Sequence, residues 1–253
     1  ENDQYIAVAK CKELLVNAIK SSCLFDGKTE IVCVPGNHDI SHGDPARSGV
    51  DLLEIRKENS YEKYVSSELM KQRSFFTFAK RCRCFSDSWM FHQKIIEFED
   101  FSIEVNLLNT AMFSLKIDED KGLHYLPRFC FNSFCTPTGA DFVISIMHHS
   151  PDWLVDEQKN ELEPLIFTKS SLVFLGHEHN LCVKSISYEE GTDTIIQAGG
   201  CLCNDEDWTN SAFHIGLFDT GTREYVVSEY CWNTREKQYE SKKHIKKVLP
   251  YKP

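Results

Sequence analysis

Ile31-Val32-Cys33-Val34-Pro35-Gly36-Asn37-His38-Asp39 is an apolar run that stops at a glycine and then presents an amide and an imidazole. A buried strand that ends this way delivers polar side chains to the carboxyl edge of a sheet, where open α/β sheets hold their ligands. The pattern returns at Leu172-Val173-Phe174-Leu175, where Gly176 lets the backbone turn and His177-Glu178-His179 follow. A third run, Asp141-Phe142-Val143-Ile144-Ser145-Ile146-Met147, leads into His148-His149-Ser150-Pro151. One histidine behind a strand is most often structural or solvated. Three predicted strand ends that each carry histidine, two with glycine at the turn, point to a shared metal site. Asn and His together suit borderline divalent metals better than calcium.

The order GNHD, HH-S-P and GHEH, each after an apolar run, resembles the calcineurin-like metallophosphoesterase superfamily, which includes purple acid phosphatases, cyclic-nucleotide phosphodiesterases and nucleases. The resemblance implies a layered α/β/β/α sandwich. It also implies hydrolysis of phosphodiesters or phosphomonoesters by a metal-activated hydroxide at a binuclear site, with two divalent transition-metal ions (manganese, iron or zinc) as cofactors. Carried over to this sequence, it makes Asn37, His149 and His177 ligands of one metal and His179 a ligand of the second. His38 becomes the acid or transition-state donor beside the phosphate. His149 is preferred to His148 because it adjoins Ser150-Pro151, where the family places its ligand. Asp39 is expected to orient His38 or to cap the turn, and Glu178 to point away from the site.

Two earlier motifs of that family, Asp-x-His and Gly-Asp-x-x-(Asp/Asn), supply the bridging carboxylate, and neither occurs here. Asp3, Asp26 and Asp44 lack the required neighbours. The expectation is a chain without the family's first two strands, whose remaining metal ligands come from a missing N-terminal segment or, alternatively, from a separate polypeptide. A bridging carboxylate holds two ions roughly 3.5–4 Å apart, so hydrolysis is expected of the completed protein and weak or no hydrolysis of this stretch alone. The rival expectation, from a different class, is a catalytically inactive module of the same fold that serves as a binding or scaffolding surface.

Composition narrows the partners. A chain of 253 residues with 42% hydrophobic content is long enough to bury a core as one domain. A net charge of −10 and a pI near 5.5 argue against a broadly basic nucleic-acid surface, so nucleic acid is a disfavoured partner. A metal site still draws a phosphate locally. No apolar stretch approaches the length of a membrane span. Eleven cysteines are an odd count that cannot form a complete disulfide framework, and Cys33 and Cys182 sit inside apolar runs, which favours a reducing cytoplasm. Cys82-x-Cys84 and Cys201-x-Cys203 have the spacing of neither a zinc knuckle nor a redox pair. His42, His92, His124, His214 and His244 lack strand-end context and read as surface or structural residues.

Along the chain, the spacing of Ile6, Val8, Leu14, Leu15 and Ile19 predicts a helix over 5–22 packed on one face, with Asp26-Gly27 turning into the first strand. Residues 41–49 read as a loop over the site, in which Arg47 is more plausibly solvated than phosphate-binding. A charged helical region at about 50–85 reads as a cap insertion, its Phe75, Phe76 and Phe78 favoured as core over base-stacking surface. Lys94–Phe98 and Phe101–Val105 predict a hairpin about Glu99-Asp100, and 107–111 a central strand. Residues 194–198 and 211–232 supply the last strands, the latter pair joined at Asp219–Thr222. The lysine-rich end, about 236–253, reads as a basic tail or linker.

Overall fold

The computed structural model describes residues 2–21, 29–41, 52–84, 89–115, 120–179, 181–187, 193–201, 211–250 and 252. Its helices are α1 (Asn2–Ser21), α2 (Leu52–Glu58), α3 (Val65–Lys71), α4 (Arg73–Arg81), α5 (Arg128–Cys135) and α6 (Asp156–Lys169). Its strands are β1 (Phe91–Glu97), β2 (Ser102–Leu108), β3 (Phe142–Met147), β4 (Leu172–Leu175), β5 (Cys182–Ile186), β6 (Thr194–Ala198), β7 (Ala212–Phe218), β8 (Glu224–Asn233) and β9 (Gln238–Val248).

Six strands form the central sheet in the order β1-β2-β3-β4-β6-β5. β2, β3, β4 and β6 run parallel, and β1 and β5 close the two edges antiparallel. A parallel sheet must be covered on both faces, which is why these strands are near-continuously apolar. On one face α5 and α6 pack Phe131, Phe134, Leu162 and Ile166 against Leu108, Met147 and Val173. On the other, the antiparallel sheet β7-β8-β9 lays Tyr225 and Val227 over Phe142, Leu172 and Ile195. Beside it, α4 buries Phe75, Phe76 and Ala79 against Val105 and Leu107. The chain is therefore mixed α/β with a parallel-rich sheet, and the 91–108 hairpin has the register expected of it.

Several expectations change. Among the described residues α5 and α6 cover one face of the central sheet and the second sheet the other, and on β7 Ile215 and Leu217 are 45% and 58% exposed. Residues 31–34 carry no strand assignment. Val32, Cys33 and Val34 instead pack as an extended arm against the α4 side of the core, because apolar content buries a segment whereas a strand also needs a neighbour's free ladder. α1 forms, but Ile6, Val8, Leu14 and Leu15 are more than half exposed. Ile6 lies on the far side of the helix from Val8 and Leu15, so the four make no single stripe. The helix is held by Tyr5, which stacks on Phe78 at 5.1 Å between centroids. The supposed basic tail is, over 238–248, a strand hydrogen-bonded to β8. Phe75 and Phe76 are core, and Tyr61 stacks on Tyr125 at 4.6 Å. Asp26, His42, Asp44, Arg47 and Cys203 lie outside the described residues.

Candidate metal centre

β3 and β4 pair in parallel with Met147 opposite Leu175, so the residues that follow them emerge side by side at the carboxyl edge. Gly176 N–H donates to His148 O at 3.0 Å, which fixes that alignment one residue beyond the ladder. The His148 ring then sits wedged between two glycines. A Cβ at Gly36 would lie 2.8 Å from its Cε1, and one at Gly176 would lie 2.8 Å from its Nδ1. The glycines of GNHD and GHEH are thus required by the close approach of one imidazole.

His148 Nε2–H donates to Asn37 Oδ1 at 3.0 Å, across 111 residues of chain. Asp39 holds the turn that presents Asn37: one carboxylate oxygen accepts Gly36 N–H and the other accepts Tyr5 Oη–H, both at 2.8 Å. It is the cap of the two roles expected for it. The rings of His148 and His177 are 5.3 Å apart and those of His149 and His177 are 4.4 Å apart, centroid to centroid. One ligand atom from each of His148, His149 and His177 lies within 4.8 Å of the others. His177 reaches this position with a positive φ of 64°, a left-handed backbone that a non-glycine residue adopts at some cost.

His149 faces the opposite side of the sheet edge and is 1% exposed. Its main-chain N–H donates to Thr110 Oγ1 at 2.9 Å, its Nε2 faces Ser114 Oγ at 3.4 Å, and its Nδ1 is buried without a hydrogen-bond partner. Behind it, His124 Nδ1–H donates to Thr110 O at 3.0 Å and Nε2 meets Asp120 Oδ2 at 2.9 Å. Trp153 walls the cluster, 4.9 Å from His149 and 4.3 Å from His177 between ring centroids. His124, read from sequence as surface or structural, is fully buried here. No spacing signals Ser114, Asp120 or His124, whereas Trp153 follows directly on the HH-S-P motif.

Burial, reinforced by neighbouring His177, His179, His38 and His124, pushes His148 down to about 3. Burial, with His124, His148 and His177, also pushes His149 well below the ordinary imidazole range. Neutral rings have free lone pairs, the state a metal requires. His38 and His179 are exposed and stand outside the tight cluster, at its rim. Glu178 is exposed. The fold therefore brings together Asn37, His149 and His177 with His148, the residue passed over in favour of its neighbour. The orphaned His149 Nδ1 and a donor set of imidazoles with one amide oxygen fit a single borderline ion such as zinc. No carboxylate joins the cluster among the described residues.

No protein-family model and no curated protein matches the chain. Solved structures similar to it include a double mutant of Vps29 from Entamoeba histolytica, at 10% identity over 62% of this chain and 61% of that one, with a TM-score of 0.27. Another is a phosphatase from Mycoplasma pneumoniae, at 12% identity over 63% and 58%, with a TM-score of 0.31. A third is wild-type Vps29 from Entamoeba histolytica complexed with zinc, at 12% identity over 61% and 60%, with a TM-score of 0.24. The chain spans about three-fifths of the length of these structures.

Proposed function

We propose that this chain carries the metal-holding part of a metal-dependent phosphoester hydrolase, acting on a phosphodiester or phosphomonoester. The observation that carries the reading is the convergence of Asn37, His148, His149 and His177 at the carboxyl ends of two adjacent parallel strands. His148, His149 and His177, with Asn37, would hold a divalent ion, whose chemistry when bound would be to make water acidic enough to serve as a nucleophile near neutral pH. The chain's own part is to keep His148 and His149 neutral and the three imidazoles aimed, with Thr110, Ser114 and Trp153 holding His149 in place. His38, exposed at the rim, donates to a phosphoryl oxygen or to the leaving oxygen, work worth roughly 10²- to 10⁴-fold as general acid catalysis. His179, exposed at the rim, would serve a second ion if a carboxylate from outside the described residues completed that site. Cys33, Cys82, Cys84 and Cys130 carry free thiols, which supports a reducing compartment as the setting.

A specific observation favours a second reading. No carboxylate joins the cluster among the described residues, and one ion without a bridging carboxylate suits a metal-dependent binding module as well as an enzyme. Zinc and manganese titrations, with bis-p-nitrophenyl phosphate hydrolysis on the same sample, separate the two. His177→Ala is expected to weaken metal binding by about tenfold or more, the scale at which even outer-shell changes act. His38→Ala is expected to keep the metal and lose turnover. Metal uptake with no hydrolysis, in a chain extended at its amino end, would decide for the binding module, and unchanged affinity in His177→Ala would remove the site.

A further inference from the structure

Away from the histidines, α1, the end of α4 and β1 surround a cavity of about 620 Å³, the size of a small-molecule site. α1 contributes Lys12, Val16 and Lys20, which lie on one stripe of the helix because each is four residues from the next. Arg83 enters from the end of α4, Lys94 from β1, and Glu30 and Ile31 from the start of the arm that leads to Asn37. Four cations therefore face one carboxylate, in a chain whose net charge is −10. Glu30 is already engaged by Lys94 at 2.6 Å. Lys12 Nζ donates to Cys82 O at 2.6 Å, an uncharged acceptor that fixes the ammonium without cancelling its charge. Lys20 stands in the last turn of α1 and Lys12 meets the C-cap of α4, so both complement helix ends. A helix end carries only roughly half a charge, however, and the lining stays positive.

Arg83 is the informative member. Its N–H donates to Lys80 O at 3.1 Å and Cys84 N–H donates to Ala79 O at 2.9 Å, the paired bonds that close a helix on a left-handed residue. Glycine is the ordinary occupant of that place, and Arg83 holds it at φ 56°. A strained backbone of this kind persists where the side chain it carries has a use, and this side chain lines the cavity.

We propose that the cavity is a binding site for a phosphorylated small molecule of nucleotide size, its phosphates held by Arg83, Lys12 and Lys20 and its ring laid against Val16 and Ile31. A guanidinium grips phosphate through two parallel hydrogen bonds, and lysines act beside it as point charges. Several separate cations match an anion of several charges better than a single carboxylate. The site lies apart from the imidazoles and uses none of them, so it stands whether or not they hold a metal.

The test titrates ATP into the full chain by calorimetry, in chelator and without added metal, so that no ion at the histidine cluster carries the binding. The expected result is saturable binding at one site, weakened about tenfold in Arg83→Gly, as loss of a charge-assisted contact requires, and several-fold in Lys20→Gln. Because glycine relieves the left-handed backbone, Arg83→Gly should keep or raise the urea midpoint while its affinity falls, which a merely structural arginine would not do. Inorganic tripolyphosphate tests the ring: weaker binding than ATP assigns Val16 and Ile31 their part, and equal binding would overturn that part alone. No binding at millimolar ATP, or an affinity unchanged in both variants, would overturn the site.

Discussion

One imidazole explains two glycines. His148 fills the space that a side chain at either Gly36 or Gly176 would occupy, so Gly36→Ala and Gly176→Ala should each act through His148. Overpacking of this kind costs about 1–3 kcal/mol. The expected outcome is a lower unfolding midpoint together with weaker zinc binding; unchanged values for both would mean that His148 swings aside freely. The two glycine motifs are legible in the sequence as strand-end punctuation. The choice between His148 and His149 is not. Consecutive residues at a strand end project to opposite faces, and which face looks towards Asn37 depends on how β3 is paired and covered. Ile146 packs towards the arm that carries Gly36 and Met147 towards α5 and α6, while His148 meets Gly36 and Asn37 and His149 meets Thr110, Ser114 and Trp153. Ser114 and His124 escape notice for the same reason, since only the folded chain brings Thr110, Ser114 and His124 against His149.

Polar links join the elements as firmly as the apolar layers do. Glu104 of β2 is 0% exposed, and its carboxylate pairs with Lys169 Nζ at 2.7 Å in the last turn of α6 while also accepting from Asn106 and Thr138. Lys169 additionally donates to Phe134 O and Thr136 O, which ties α5 to α6. Lys169→Met would leave the Glu104 carboxyl without its partner, and breaking one side of such a buried pair costs about 3 kcal/mol. Urea unfolding should show that loss, and Glu104→Gln combined with Lys169→Met should recover part of it. A single variant as stable as the parent would mean that solvent reaches the carboxylate. At this scale the hairpin β1–β2 is readable because apolar residues bracket a Glu-Asp turn. β9 is unreadable because its lysines mask it: an edge strand tolerates charge on residues that a central strand would bury, and charge discourages further pairing. The 31–34 arm misleads in the opposite sense, being apolar enough for a strand but given no ladder.

Taken as a whole, the metal-free molecule buries imidazoles that resist protonation, and this sets the sign of its response to acid. Burial first, then neighbouring imidazoles, lower His148 to about 3 from 6.5, and His149 moves in the same direction. His92 and His214 are also lowered, chiefly by burial. Between the lowered value and 6.5 the unfolded chain takes up protons that the native state refuses. Stability therefore falls as pH drops below about 6.5 and keeps falling towards 3, because the slope of unfolding free energy follows the excess of protons bound by the unfolded state. Asp141, Asp219 and Glu240 are held below the ordinary carboxylate range by hydrogen bonds. Their loss acts in the same direction but begins only lower; Cys84, held down to about 7, and Glu68, raised by burial, also bear on the window from about pH 7.5 to about pH 5, so comparison with a histidine variant is what isolates the imidazoles. Urea midpoints of chelator-treated protein should decline across that window, and decline less steeply in a His148→Gln, His149→Gln double variant. Parallel curves for the two proteins would show that these rings are solvated in the native state, and would remove the buried, neutral donors on which metal capture depends.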